Sequence, residues 1–187
     1  MRFRYPLGMS AQLRARAINL LLGALLLALA ACSTSTVTKS SAPLATPTVM
    51  ASGPLASVVA PATGSLARRI VTEYDAGARQ AKITLTVGAA PNVAAAQANV
   101  MALSFQAQKA VWTSDSALHE VKVIVLGPIR DDYANIIEDA YGVSDVFAPT
   151  AATLTWSALT PESAWTRYDS TWLRPSYSPN WLYGKNS

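Results

Sequence analysis

Gln80-Ala81-Lys82-Ile83-Thr84-Leu85-Thr86-Val87 alternates: Ile83, Leu85 and Val87 fall on one side, Lys82, Thr84 and Thr86 on the other. A side-chain period of two is the period of a strand, and a polar second face means a sheet with one side in water. Just upstream, Leu66–Tyr74 (LARRIVTEY) is rich in β-branched residues and partly alternating. Between the two runs lies Asp75-Ala76-Gly77, a turn signal in which glycine supplies positive φ. Together these segments predict a β-hairpin.

Reading outward, Pro91 breaks the strand and Asn92 is a fitting N-cap. Val93, Ala96, Val100, Leu103, Ala107 and Ala110 then recur at spacings of three and four, which predicts an amphipathic helix to about Trp112, its apolar face widened by Met101 and Phe105. Glu120–Leu126 (EVKVIVL) has few polar positions and reads as a central strand ended or bent by Gly127-Pro128. Arg130–Tyr141 fits either a short helix or an irregular excursion at the end of a long hairpin. A fourth strand is expected within Val146–Trp156. Thr160-Pro161-Glu162 is a helix start with cap, proline and first-turn acid, and Trp165, Tyr168 and Trp172 supply that helix's buried face. Pro175 and Pro179 stop regular structure. The predicted fold is α+β, an antiparallel sheet of about four strands with two main helices on one face, in the order ββαββα. The halves share no sequence that would make them a repeat.

The N-terminal region follows different rules. Residues 1–16 carry Arg2, Arg4, Arg14 and Arg16 and no acid, and the fifteen residues Ala17–Ala31 carry no charge. A basic start, an apolar run and small residues before a Cys describe a secretory signal. Fifteen residues fall short of the roughly 20 that span a bilayer. Leu29-Ala30-Ala31-Cys32 resembles the lipobox of bacterial lipoproteins. The resemblance covers the signal segment alone. It implies that the Cys32 thiol receives a diacylglyceryl group, that the Ala31–Cys32 bond is cut, and that membrane lipid is a partner through acylated Cys32. The expected location is the cell membrane or outer membrane, on the extracytoplasmic side; Ser33 stands where an aspartate would direct inner-membrane retention. The expected organisation is a signal over 1–31, a lipidated Cys with a flexible Ser/Thr/Pro/Ala tether over 32–65, and one globular domain over 66–187.

Charge excludes one function class. The chain's formal charge is +4, but four of its fifteen basic residues are the signal arginines, leaving eleven against eleven acids beyond it. With no basic stripe, phosphate-driven nucleic-acid binding has no source. Acylated Cys32 leaves no thiol for disulfide, nucleophile or metal. His119 is the sole histidine, no nucleophile elbow, HExxH or phosphate loop is present, and neither a cofactor nor a metal site is expected. Two chemical openings remain. Asp131, Asp132, Glu138, Asp139 and Asp145 are numerous enough to supply a carboxylate pair. Trp165, Tyr168, Trp172, Tyr177, Trp181 and Tyr183 concentrate aromatic surface near the C-terminus, and Tyr177, Trp181 and Tyr183, beyond the helix, are the candidate binding residues. The expected function is a lipid-anchored, non-enzymatic binding or structural module of the envelope, its partner an envelope protein or glycan. The alternatives are an envelope hydrolase using paired carboxylates and a small-ligand carrier.

Overall fold

The computed structural model describes residues 49–176 and Trp181. The signal segment with Ala31 and Cys32, and the candidate residues Tyr177 and Tyr183, lie outside the described residues. The elements run β1 (Met50–Ser52), α1 (Ala56–Thr63), β2 (Arg69–Asp75), β3 (Gln80–Thr86), α2 (Val93–Ser114), β4 (Glu120–Arg130), β5 (Ile136–Phe147), α3 (Ala148–Thr153), α4 (Pro161–Trp165) and β6 (Ser170–Leu173). The fold is α+β. Its sheet has six strands in the spatial order β1-β2-β3-β4-β5-β6.

The sheet is mixed rather than antiparallel, because α1 and α2 are crossovers. A helix between two adjacent strands returns the chain to the same end of the sheet, so β1 and β2 run parallel, as do β3 and β4, whereas the β2–β3, β4–β5 and β5–β6 pairs are antiparallel. The hairpin of β2 and β3 forms at the expected place. Its turn is held by Asp75 Oδ1, which accepts from the amides of Gly77 and Ala78 at 2.9 and 3.0 Å. Positive φ falls on Arg79 (54°), not on Gly77. Asn92 caps α2 by accepting from Ala95 N at 2.8 Å.

Further expectations need correction. The folded part begins by Met50, not Leu66: within the stretch read as tether, β1 pairs with β2 and α1 buries Val59 fully. Thr72 makes this possible. Its hydroxyl donates to Ser52 O and accepts from Leu55 N, and Gly53 (φ 96°) comes so close that a Cβ there would collide with the Thr72 carbonyl.

Gly127-Pro128, read as ending or bending the strand, does not end β4, which runs on to Arg130; of the two readings of Arg130–Tyr141 the long hairpin holds and the short helix does not. A register shift between Val125 and Leu126 admits Tyr141 as an extra residue on β5. Tyr141 is buried against Gly127, and its hydroxyl donates to the Pro128 carbonyl.

The strand sought within Val146–Trp156 is β5, which starts ten residues earlier and stops at Phe147. Pro149, early in α3, fixes the helical turn that follows. The last helix, α4, starts at the expected cap, where Thr160 and Ser163 form a capping box, but ends at Trp165. Asp169 explains the end: its carboxylate accepts from Phe147 N at 2.7 Å and Thr150 Oγ1 at 2.6 Å, pulling the chain into β6 beside β5. Trp165 and Tyr168 are buried as expected, whereas Trp172 sits on β6 with 45% of its surface exposed.

Helices α1 and α2 pack on one face, and α4 packs on α2. Ile70, Ile83, Leu85, Val121, Val123 and Val125 meet Val100, Leu103, Ala107 and Val111 there. Gly142 lets α2 lie close, since a Cβ would strike Val100. No described helix is long and apolar enough to cross a membrane.

Candidate binding face

The strand alternation that buries one face sends the other set of side chains to a face on which no described helix packs. Because the six strands are in sequential order, their registers join into continuous cross-strand rows. Val71 pairs with Thr84, Thr84 with Ile124, Ile124 with Val143, and Val143 with Trp172. This row, apolar apart from Thr84, crosses five strands, about 19 Å at a strand spacing of ~4.8 Å. Trp172 ends it, and Phe147, 42% exposed, lies on the same face of β5.

The neighbouring row is charged: Glu73, Lys82, Lys122 and Asp145 pair in turn, ending at Ser170. Lys82 Nζ lies 3.3 Å from Glu73 Oε1 and Lys122 Nζ 3.4 Å from Asp145 Oδ1. Acid and base in cross-strand contact hold each other's side chains along the sheet; the Glu73–Lys82 pair is exposed and adds at most about 1 kcal/mol, whereas the Asp145 side chain is only 13% exposed. On the other flank, Arg69 Nη2 reaches both Thr86 Oγ1 and Glu138 Oε2. Arg69 is on β2 and Glu138 on β5, so the hairpin extension beyond the bulge leans toward the open face. Under it lies a groove of about 360 Å³ lined by Met50, Arg68, Arg69, Val87, Ile136 and Ile137 among others.

The candidates from sequence fare differently. Trp181, expected to be an exposed ring, is buried: only 7% exposed, it packs on Tyr141 with ring centroids 4.6 Å apart and donates from Nε1 to Pro175 O at 2.9 Å. The signal that could have found Trp172 instead is its place two residues from Ser170 in a four-residue strand, hidden by a helical spacing from Trp165 and Tyr168. Tyr168 belongs to the aromatic packing of Phe105, Trp156 and Trp165, and burial pushes its phenol pKa up.

The acidic segment is dispersed among separate duties. Asp131 shapes the hairpin tip, accepting from the amides of Tyr133 and Asn135 and from Asn135 Nδ2. Glu138 pairs with Arg69, Asp139 with Arg174 at 2.8 Å, and Asp145 with Lys122. Arg174 holds the Asp139 carboxyl below the ordinary carboxylate range. Three of these acids are thus engaged by separate cations rather than facing one another as a pair, and for Asp139 the lowered pKa works against a role as general acid. His119 sits at the strand edge with the Arg79 guanidinium against Nε2. Among the described residues, no group of three or more His, Cys, Asp or Glu side chains gathers as a metal site.

Comparison with family models, with curated proteins and with solved structures finds no match to this chain.

Proposed function

We propose that this protein is a lipid-anchored, non-enzymatic binding module of the cell envelope, and that its open sheet face receives another envelope protein. The observation that carries the reading is the continuous row Val71–Thr84–Ile124–Val143–Trp172, with half-exposed Phe147 beside it, on the face away from the helices. Apolar surface aligned in this way is favourable to bury. The charged row Glu73, Lys82, Lys122 and Asp145 along one flank supplies a polar rim that suppresses wrong partners and fixes register.

Chemistry argues for protein over glycan. The row is mainly aliphatic, and Trp172 is its one broad ring. A glycan site needs stacked ring faces with converging polar groups, whereas an apolar protein surface needs a flat strip of this width with an oppositely charged margin. The dispersal of the acids among Arg69, Lys122 and Arg174 favours binding over carboxylate hydrolysis.

The test is site-specific photocrosslinking in intact cells, with the photoreactive side chain at Val143 on the face and at exposed Thr113 on α2 as control. The expected result is a protease-sensitive, glycosidase-resistant adduct from 143 alone, lost when Trp172→Glu is added. Adducts of equal yield from both positions, or a glycosidase-sensitive adduct, would overturn the reading.

A further inference from the structure

The end of the sheet at which the chain enters the domain is unlike the opposite end. Met50 begins β1 and pairs with Arg69, so the stretch from Cys32 arrives at the end that also carries Arg68, the C-terminus of β3 and the overhanging tip of the β4–β5 hairpin. Of the eight exposed large apolar side chains among the described residues, five lie on segments at this end: Met50 (66% exposed), Leu66 (43%), Tyr133 (87%), Ile136 (57%) and Ile137 (43%). Met50, Ile136 and Ile137 share one groove with Arg68 and Arg69.

The charges at this end are unequal in their freedom. Arg69 is paired with Glu138, and Asp131 is taken up by the turn. Arg130 donates to Ala134 O. Arg68 has no acidic partner among the described residues, and its guanidinium lies over Gly88, where a Cβ would collide with it. A guanidinium with no acidic partner among the described residues, sharing a groove with Met50, Ile136 and Ile137, suits a phosphate held at an apolar boundary.

We propose that this end of the domain rests on the bilayer that holds Cys32, with Arg68 against lipid phosphates and Tyr133, Ile136 and Ile137 in the interfacial layer. The inference rests on the lipid-anchor reading of Cys32. Connectivity argues for a bilayer over other occupants. Only sixteen residues separate Cys32 from Val49, a reach of at most about 60 Å, and they lead to this end. Exposed Asp132 at the tip keeps the contact at headgroup depth, because a carboxylate in hydrocarbon is costly. Seated this way, the strands stand away from the membrane and the open face stays accessible from the side.

The experiment uses the full-length acylated protein reconstituted in vesicles of phosphatidylethanolamine and phosphatidylglycerol containing doxyl-labelled lipid. An environment-sensitive dye is placed on Ile136→Cys at the tip or on Ala76→Cys in the β2–β3 turn at the far end. Mass spectrometry of the Cys32 peptide comes first: missing acyl mass refutes the anchor and the seating with it. With the acyl mass present, the expected result is at least threefold stronger lipid quenching at 136 than at 76, reduced about twofold by Arg68→Gln. Equal quenching at the two positions overturns the seating while leaving the anchor standing. Dye self-quenching that rises with protein density, in place of lipid quenching, assigns the surface to a second copy and also overturns it. Quenching at 136 unmoved by Arg68→Gln overturns the phosphate contact.

Discussion

Arg174 Nη1 donates to Asp139 Oδ2 at 2.8 Å across the seam where β6 gives way to the C-terminal segment, and Arg174 N donates to Tyr141 O at 2.8 Å. One residue thus fastens that segment to the bulged part of β5 by both backbone and side chain. The Arg174 side chain is 11% exposed and the Asp139 side chain 49%. Removing the carboxylate leaves a nearly buried guanidinium short of its counter-charge. Asp139→Asn should therefore cost about 1–2 kcal/mol, since the amide still offers a neutral acceptor. Urea denaturation is the measurement, and an unchanged midpoint would refute the fastening role.

The same pair sets a pH dependence. Arg174 lowers the Asp139 pKa below its ordinary value of 3.8 in the folded protein. A depressed folded pKa gives stability that is present above the unfolded value and lost as pH falls through the folded one. Wild type should lose stability relative to Asp139→Asn only below about pH 4, and the two denaturation midpoints should converge in acid. A gap that widens on acidification contradicts the assignment.

Gly127 faces the ring of Tyr141, which is 1% exposed and backed by Trp181. A Cβ at 127 meets Cε2 and Cζ of a ring that cannot withdraw without moving Trp181. Gly127→Ala should destabilise by about 1–3 kcal/mol, the usual cost of overpacking. Tyr141→Phe added to it should not restore the loss, because the clash is with the ring and not the hydroxyl. Thermal melts of the single and double variants decide this.

These two residues show where sequence reading stops. Alternation made the β2–β3 hairpin legible, and i, i+3, i+4 spacing with Asn92 made α2 legible, because in both a local period matches the buried face. Gly127-Pro128 reads as a breaker because its use here depends on Tyr141, fourteen residues away from Gly127, filling the space a side chain would occupy. Trp172 fits a helical stripe on spacing alone, and only the Asp169 bonds to Phe147 and Thr150 turn that stretch into a strand. The β1–β2 parallel pairing was hidden because Met50–Ser52 is short and sits among prolines, although Val59 in the same stretch is fully buried. Of the candidate site, the polar side of β3 was legible from its alternation. The row to which Thr84 belongs was not, since it exists only through the registers of five strands.

Gln108 is fully buried on α2, where Nε2 donates to Val121 O at 2.9 Å and Oε1 accepts from Trp112 Nε1 at 3.1 Å. Its amide ties the helix to the central strand and satisfies a buried indole. Gln108→Leu keeps the volume but orphans the Trp112 N–H, so the expected cost is about 1–3 kcal/mol despite the gain in hydrophobicity. Adding Trp112→Phe, which removes the orphaned donor, should cost less than the sum of the two single changes. A double-mutant cycle without coupling would contradict this account.

Asp131 governs the hairpin tip, and hydrogen bonding, led by the Asn135 side chain, lowers its pKa from 3.8. The turn is therefore held fully above that value and loosens as pH falls through the folded one. Protection of the Tyr133 and Asn135 amides, measured as exchange relative to the intrinsic rate at each pH, should fall in acid, while that of Val123 in β4 shows no such change. Asp131→Asn should show the lowered protection already at neutral pH.

Ala134 occupies the left-handed region at φ 64° within the same tip, its N–H donating to Asp131 O at 3.0 Å. A residue with a Cβ loses roughly 1–2 kcal/mol there relative to glycine. Glycine gives back part of the difference through its freer unfolded chain, about 0.5–1 kcal/mol. The net expectation for Ala134→Gly is a gain of up to about 1 kcal/mol, while Ala134→Val, β-branched and strained at positive φ, should lose at least that much. Side-chain contacts do not decide the order, because Ala134 is exposed. Equal stability of the glycine and valine variants by urea denaturation would show that the tip relaxes out of this conformation, and the exposed ridge of Tyr133, Ile136 and Ile137 would then lack a fixed geometry.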